Sequence, residues 1–217
     1  TSGSLELIKW LALLCMLLDH LYSFLHIQEL KVFYPLGRLS MPLFAFALSY
    51  GLTIQKNKYF SLLTIKRILI FGLISSAPYI ALGNVMSGWW PLNIMFSFLL
   101  SAIIISILSS TIKQRYFIAL IFFVIGGAFV EYTWAGISLT VSFWWFVKRA
   151  DWISLSLIIL SMIMLNNFNH NLWATLALPI IYLASKINLP IPRIKHFFYY
   201  VYPIQLSLIW IIRSIYT

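Results

Sequence analysis

Two adjacent polar residues interrupt the first apolar run, Asp19 and His20 in Leu17-Leu18-Asp19-His20-Leu21. A third, Arg38, interrupts the next in Leu36-Gly37-Arg38-Leu39-Ser40-Met41-Pro42. A charged side chain at membrane depth costs about 2.5 to 3.5 kcal/mol on insertion scales, so each of these needs a partner or a task. Imidazole titrates near neutral pH and is the usual general base, and a carboxylate beside it can orient the ring or stabilise the imidazolium. A guanidinium in a dry site stabilises a developing oxyanion. Acid, base and cation at one depth read as a catalytic constellation. The bland alternative is an Asp19–Arg38 ion pair that fixes two helices and does nothing else, and His20 beside them weighs against it. Asn93 and Glu131, at the ends of later apolar runs, join the candidate catalytic set, Asn93 as a second oxyanion donor. His170, in an Asn-rich stretch, reads as a solvated loop residue; His26 and His196 read as interfacial.

Other chemistries lack their spacing. No His-x-x-x-His or Glu-x-x-His pair lies on one helix, which argues against a metal site. There is no Gly-x-Ser-x-Gly elbow and no glycine-rich phosphate loop. Cys15, the single cysteine, lies inside an apolar run, so disulfide frameworks and thiolate metal sites are both excluded.

The elements that must carry these residues are membrane helices. The 217 residues are 62% hydrophobic, 18% aromatic and 9% charged, with mean hydropathy +0.93, far beyond an ordinary soluble domain. Apolar runs between polar breaks predict helices near 7–25, 33–54, 62–82, 94–110, 116–130, 134–147, 152–165, 171–185 and 197–215. A span needs about 20 apolar residues, and 134–147 and 152–165 fall short of that. The expected fold is all-α, a polytopic transmembrane helix bundle of about nine spans. Thr1 to Ser4 lacks an initiating Met and reads as an expression remnant, leaving 5–217 as a single transmembrane domain. The first run has no small-residue cleavage site and is expected to stay in the mature protein.

The formal charge of +10 is spread between apolar runs, not gathered on one face as a nucleic-acid binder requires, so no nucleic acid is expected. Alternate loops carry it: Lys56, Lys58, Lys66 and Arg67; Lys113 and Arg115; Lys148 and Arg149; Lys186, Arg193 and Lys195. By the positive-inside rule these face the cytoplasm, as does the N-terminus, in contact with membrane lipid. His20 and Arg38 then sit at one level, roughly 7 Å below the outer surface at about 1.5 Å rise per residue. The basic pairs Lys66-Arg67 and Lys148-Arg149, with Arg193 and Lys195, serve topology or, more sharply, clamp the phosphates of a coenzyme A donor.

Four segments resemble the TraX family, bacterial conjugation proteins that N-acetylate mature pilin, and more loosely other multi-span transmembrane acetyltransferases. They are Leu11 to His20, ending in Leu-x-Asp-His; Gly37 to Phe46; Leu92-Asn93-Ile94-Met95-Phe96; and Phe198 to Leu206, reading Phe-Tyr-Tyr-Val-Tyr-Pro-Ile-Gln-Leu. Glu131-Tyr132 ahead of Gly136 is a weaker match, where the family often has Asp-Tyr. The segments run in order from first span to last. The resemblance implies a transmembrane acetyltransferase of the bacterial inner membrane, with acetyl-CoA as donor, the N-terminal amine of processed pilin as acceptor, and Tyr202 and Gln205 among the coenzyme-binding residues. Gln205 stands where the family commonly has His, so no base is available there, which shifts that role to His20. Met41, where Phe is usual, reads as a packing change. Other readings are an O-acetyltransferase acting on an envelope glycan, a proton-coupled transporter, and a pilus-assembly scaffold.

Overall fold

The computed structural model describes residues 2–25, 28–54, 58–83, 85–187, 189–192, 194 and 196–216. Among them the chain forms ten α-helices and no strand: α1 (Ser2–Leu25), α2 (Tyr34–Gly37), α3 (Ser40–Ile54), α4 (Lys58–Ala81), α5 (Ile94–Leu108), α6 (Arg115–Gly127), α7 (Thr133–Arg149), α8 (Trp152–Asn169), α9 (Ala177–Lys186) and α10 (Phe197–Tyr216). The chain is thus the expected all-α membrane helix bundle. Four segments are long and apolar enough to cross a bilayer: Gly3–Leu25, Lys31–Ile54, Ser61–Ala81 and Trp152–Asn169.

Two elements differ instructively from the hydropathy reading. The run predicted as one helix over 33–54 breaks between Gly37 and Ser40, so that Arg38 lies in a turn. Pro42 has no N–H to donate to the Arg38 carbonyl, and its ring crowds that carbonyl, so the ladder stops there; Leu39 bonds back to Leu36 O at 3.0 Å and Leu43 resumes on Leu39 O at 3.2 Å. The run read as 152–165 continues through the Asn-rich stretch to Asn169, giving 18 residues. Asn166 is buried there and donates to Thr175 Oγ1 at 2.7 Å, so its amide does not end the helix. His170 closes α8 in the left-handed region, exposed as expected.

Polar residues inside the bundle are spent on backbone or on neighbouring helices, as a lipid solvent demands. Ser49 Oγ donates to Ala45 O at 2.7 Å and lies 2.6 Å from Thr140 O on α7. Ser142 meets Ser161 across α7 and α8. α1 packs on α3, α9 and α10, α3 on α7, and α4 on α5 and α10. Trp10 rests against Phe197 and Phe198 at 5.2 and 5.4 Å between centroids, while Arg213 at the far end of α10 donates to Leu82 O beyond α4 at 2.9 Å. Further along both helices His20 of α1 meets Gln205, so α10 runs parallel to α1, which brings the last motif level with the Asp-His pair. Outward faces are apolar, with Leu69, Ile70, Leu73 and Ile74 on α4 and Ile121, Val124 and Ile125 on α6 exposed, as lipid contact requires.

Candidate active site

α1 delivers Asp19 and His20 near its end, and the turn before α3 delivers Arg38 opposite them. Arg38 Nη2 donates to Asp19 Oδ1, and each side chain keeps 15% of its surface exposed. The guanidinium also lies over the Tyr34 ring, 4.7 Å from its centroid. Gly37 makes this approach possible: a Cβ there would lie 2.5 Å from Asp19 Oδ1 and 2.6 Å from Asp19 Cβ. The glycine of the Gly-Arg pair is what seats the carboxylate.

His20 Nδ1 meets the side-chain amide of Gln205 on α10. The ring's faces and edges are held by Phe24 and Tyr202, at 5.5 and 6.2 Å between centroids. Gln205 and Tyr202 are both buried.

Glu131 enters from the connection between α6 and α7. Leu92 clamps it there: Leu92 N donates to Phe129 O and Glu131 N to Leu92 O, both at 2.8 Å. Ser97 Oγ donates to the Glu131 carbonyl. The Glu131 carboxylate faces the Ile94 N–H at the start of α5, while burial, and after it the charge of Asp19, pushes the carboxyl up from its ordinary value to about 7. Tyr132 and Thr133 follow with φ of 60° and 45°, two non-glycine residues in the left-handed region, where strain is kept only if the surroundings over-determine it. Gly136 leaves room for Tyr132, whose Cβ would lie 2.9 Å from a Cβ placed at Gly136.

These side chains enclose a cavity of about 170 Å³, lined by Asp19, His20, Arg38, Ile94, Glu131, Tyr132 and Tyr202, with Met16, Phe24 and Leu206 supplying apolar wall. An imidazole, a guanidinium and two carboxylates thus face one small space, a set suited to deprotonating a nucleophile and holding an oxyanion. The space takes a reacting group; enclosing a drug-sized ligand needs about 300 to 1,000 Å³.

Of the residues singled out in the sequence, Asp19, His20, Arg38 and Glu131 come together, and Tyr202 and Gln205 join them instead of the basic residues. Asn93 does not line the cavity. Its carbonyl oxygen caps α5 at Met95 N, 3.1 Å, and its amide nitrogen donates to Gly72 O at 3.0 Å and Ser76 Oγ at 3.2 Å on α4. It fixes the N-terminus of α5, and with it the Ile94 N–H, against α4. Lys148 and Arg149 end α7, stacked over Trp144 and Trp145 at 5.0 and 5.9 Å. From Thr133 to Arg149 is about 24 Å at about 1.5 Å per residue, so these cations stand at the opposite end of the bundle. Lys66 is exposed and Arg67 half-buried, in the half of α4 away from the cavity. Arg193 and Lys195 lie outside the described residues, as does His26. Tyr132, Tyr34 and the Ile94 N–H have no role assigned from sequence; the Glu-Tyr pair before Gly136 is the one signal that points toward the first.

The chain matches the TraX protein family over residues 4–213. It is similar to Protein TraX of Escherichia coli (strain K12), with 32% identity over 102 residues, covering 47% of this chain and 39% of that protein. The match thus spans about two-fifths of the relative's length. No solved structure matches.

Proposed function

Because the chain belongs to the TraX family, we propose that it is an integral membrane acetyltransferase that moves an acetyl group from cytoplasmic acetyl-CoA to the N-terminal amine of mature pilin near the outer face of the inner membrane. The single observation that carries this reading is the cavity in which His20, Arg38, Asp19 and Glu131 converge. An α-amino group has a pKa of about 7.7 to 8.0, so at neutral pH a base must take its proton before or during attack on the thioester. His20 takes it. The amine nitrogen then bonds to the acetyl carbon, the carbon–sulfur bond breaks, and the proton passes from His20 to the leaving sulfur. Arg38, held by Asp19, stabilises the oxyanion, a contribution of about 3 kcal/mol for such a donor. The nitrogen's second proton leaves to the Glu131 carboxylate, a group that accepts one near neutral pH, and the neutral amide results. The size of the cavity fits the acetyl group and the amine only. Lys66, Arg67, Lys148 and Arg149 would offer cations to the coenzyme's phosphates from the opposite end of the bundle, with the long pantetheine arm reaching between the two; Arg193 and Lys195 are the remaining candidates for that clamp.

The test is acetyl transfer by the purified protein in detergent from acetyl-CoA to a peptide carrying the mature pilin N-terminus, read as the mass gain of one acetyl group. His20→Ala is expected to abolish transfer, by at least about a hundredfold, while remaining folded in the membrane. Retained transfer in that variant removes His20 from the chemistry.

A further inference from the structure

Asp19 is the neighbour that sequence alone offers as the orienting partner of His20, yet its carboxylate is committed to Arg38. The ring nitrogen Nδ1 instead meets the Gln205 amide, 185 positions along the chain, with the amide's nitrogen placed toward the ring. Gln205 is 5% exposed, and its amide oxygen is buried with no hydrogen-bond partner among the described residues. Since Nδ1 is occupied, the other ring nitrogen is the one left for substrate.

A carboxamide can turn end for end about its last side-chain bond, exchanging donor and acceptor. Here the turn sacrifices no other hydrogen bond, because among the described residues the amide's only side-chain partner is the ring. If the amide nitrogen faces Nδ1, the ring proton sits on Nε2 and His20 has no lone pair for the cavity. If the amide oxygen faces it, the proton sits on Nδ1 and Nε2 is free. Only the second arrangement also serves the protonated ring, whose Nδ1–H needs an acceptor.

We infer that Gln205 is a positioning residue for His20: its amide oxygen holds the ring proton on Nδ1, so that Nε2 presents its lone pair to the cavity. The kinetic part of this inference rests on the base role given to His20 above. In the reaction, Nε2 takes one ammonium proton as the nitrogen–carbon bond forms, Nδ1–H stays on the Gln205 oxygen throughout, Nε2 returns its proton to the sulfur as the carbon–sulfur bond breaks, and the nitrogen's second proton leaves to Glu131 as the amide forms. A neutral amide does this without adding an anion beside Asp19, whose charge is already matched by Arg38. In lipid an added unmatched charge is costly. The site therefore separates two tasks that a single carboxylate performs in other acid–base arrangements: Asp19 seats the cation, and Gln205 sets the tautomer.

The experiment is ¹⁵N-histidine NMR of the full chain in detergent, with His20 assigned by the signals lost in His20→Asn, and with no substrate present. The expected spectrum shows the Nδ1–H tautomer of His20. Gln205→Leu removes the acceptor, and Nδ1–H is expected to give way to Nε2–H or a mixture. Gln205→Glu in its ionised form accepts only, so it keeps Nδ1–H. In the transfer assay Gln205→Leu is expected to lose about a hundredfold in kcat/KM, and Gln205→Glu to recover most of that loss. An Nε2–H ring in the native protein, or an Nδ1–H ring unchanged in Gln205→Leu, overturns the assignment. Should Gln205→Leu fail to fold, the native spectrum and Gln205→Glu still decide it. A native Nδ1–H ring in a protein that transfers no acetyl group sinks the enzymatic reading and leaves the tautomer assignment standing.

Discussion

Gly37→Ala probes the packing on which the site depends. The added methyl would sit 2.5 Å from Asp19 Oδ1, 2.6 Å from its Cβ and 2.7 Å from its Cγ. Ordinary contact begins at about 3.4 Å, so the carboxylate and its helix must retreat by about 0.9 Å, the difference 3.4 − 2.5. Because Cβ is as close as Oδ1, no rotation of Asp19 relieves the clash. α1 and the turn before α3 must separate, which breaks the geometry of the Asp19–Arg38 pair. Overpacking of this kind costs about 1 to 3 kcal/mol in stability. A displaced Arg38 also loses part of the roughly 3 kcal/mol of an oxyanion donor, so acetyl transfer should fall about tenfold to a hundredfold at about 1.4 kcal/mol per decade. The assay pairs transfer rate with thermal unfolding in detergent. Two comparisons sharpen it. Gly51→Ala, where a Cβ meets nothing within 4 Å, should leave the rate unchanged. In an Arg38→Ala background, Gly37→Ala should cost little further rate, since both act through the same pair. A Gly37→Ala protein with native rate and native unfolding midpoint refutes the reasoning.

Glu131 and Asn93 give two more tests. Burial raises the Glu131 carboxyl to about 7, so its protonated form is favoured by the fold; that contribution is complete below the ordinary glutamate value and is lost as pH rises through about 7. The unfolding midpoint of the native protein should therefore decline between pH 5 and pH 8 more than that of Glu131→Gln, and equal slopes would remove the shift. Asn93→Ala should lower stability by about 1 to 2 kcal/mol through the lost α5 cap, with Asn93→Asp restoring the cap but not the bonds to Gly72 and Ser76. If Asn93→Ala instead abolishes transfer in a protein of native stability, the residue belongs to the chemistry after all.

The sequence made the helices readable because lipid leaves little choice: a long apolar run must become a span or be broken by a nameable residue. Asp19, His20 and Arg38 were legible for the same reason, since charge inside such a run demands explanation. What stayed hidden were groups whose role is set by contacts across the fold. Asn93 and Gln205 are both amides near motif positions, and nothing in their local sequence says that one is spent on α4 while the other meets His20. Tyr202 shared that ambiguity, because the parallel course of α1 and α10 is a tertiary fact. A backbone donor such as the Ile94 N–H carries no residue signature at all. Gly37 stands between these cases: its place beside Arg38 marks close approach, but only the Asp19 contact says to what.

The cluster also sits where the helices are least regular, and the two properties require each other. Arg38 lies in the turn that Pro42 forces, Glu131 precedes two left-handed residues, and Ile94 opens α5. Each such break leaves backbone groups without intrahelical partners, and a bilayer core offers no water to take them. Broken backbone at membrane depth is therefore tolerated only beside a polar cavity or within protein. Here the cavity and the neighbouring side chains provide that setting: Leu92 answers Glu131, and Ser97 answers its carbonyl. Filling the space with apolar bulk would abolish the chemistry and take the polar surroundings from Asp19, Arg38 and Glu131 as well. Substitutions that shrink the cavity should then lower stability and activity together, whereas His20→Ala, which enlarges it and leaves the breaks intact, separates the two.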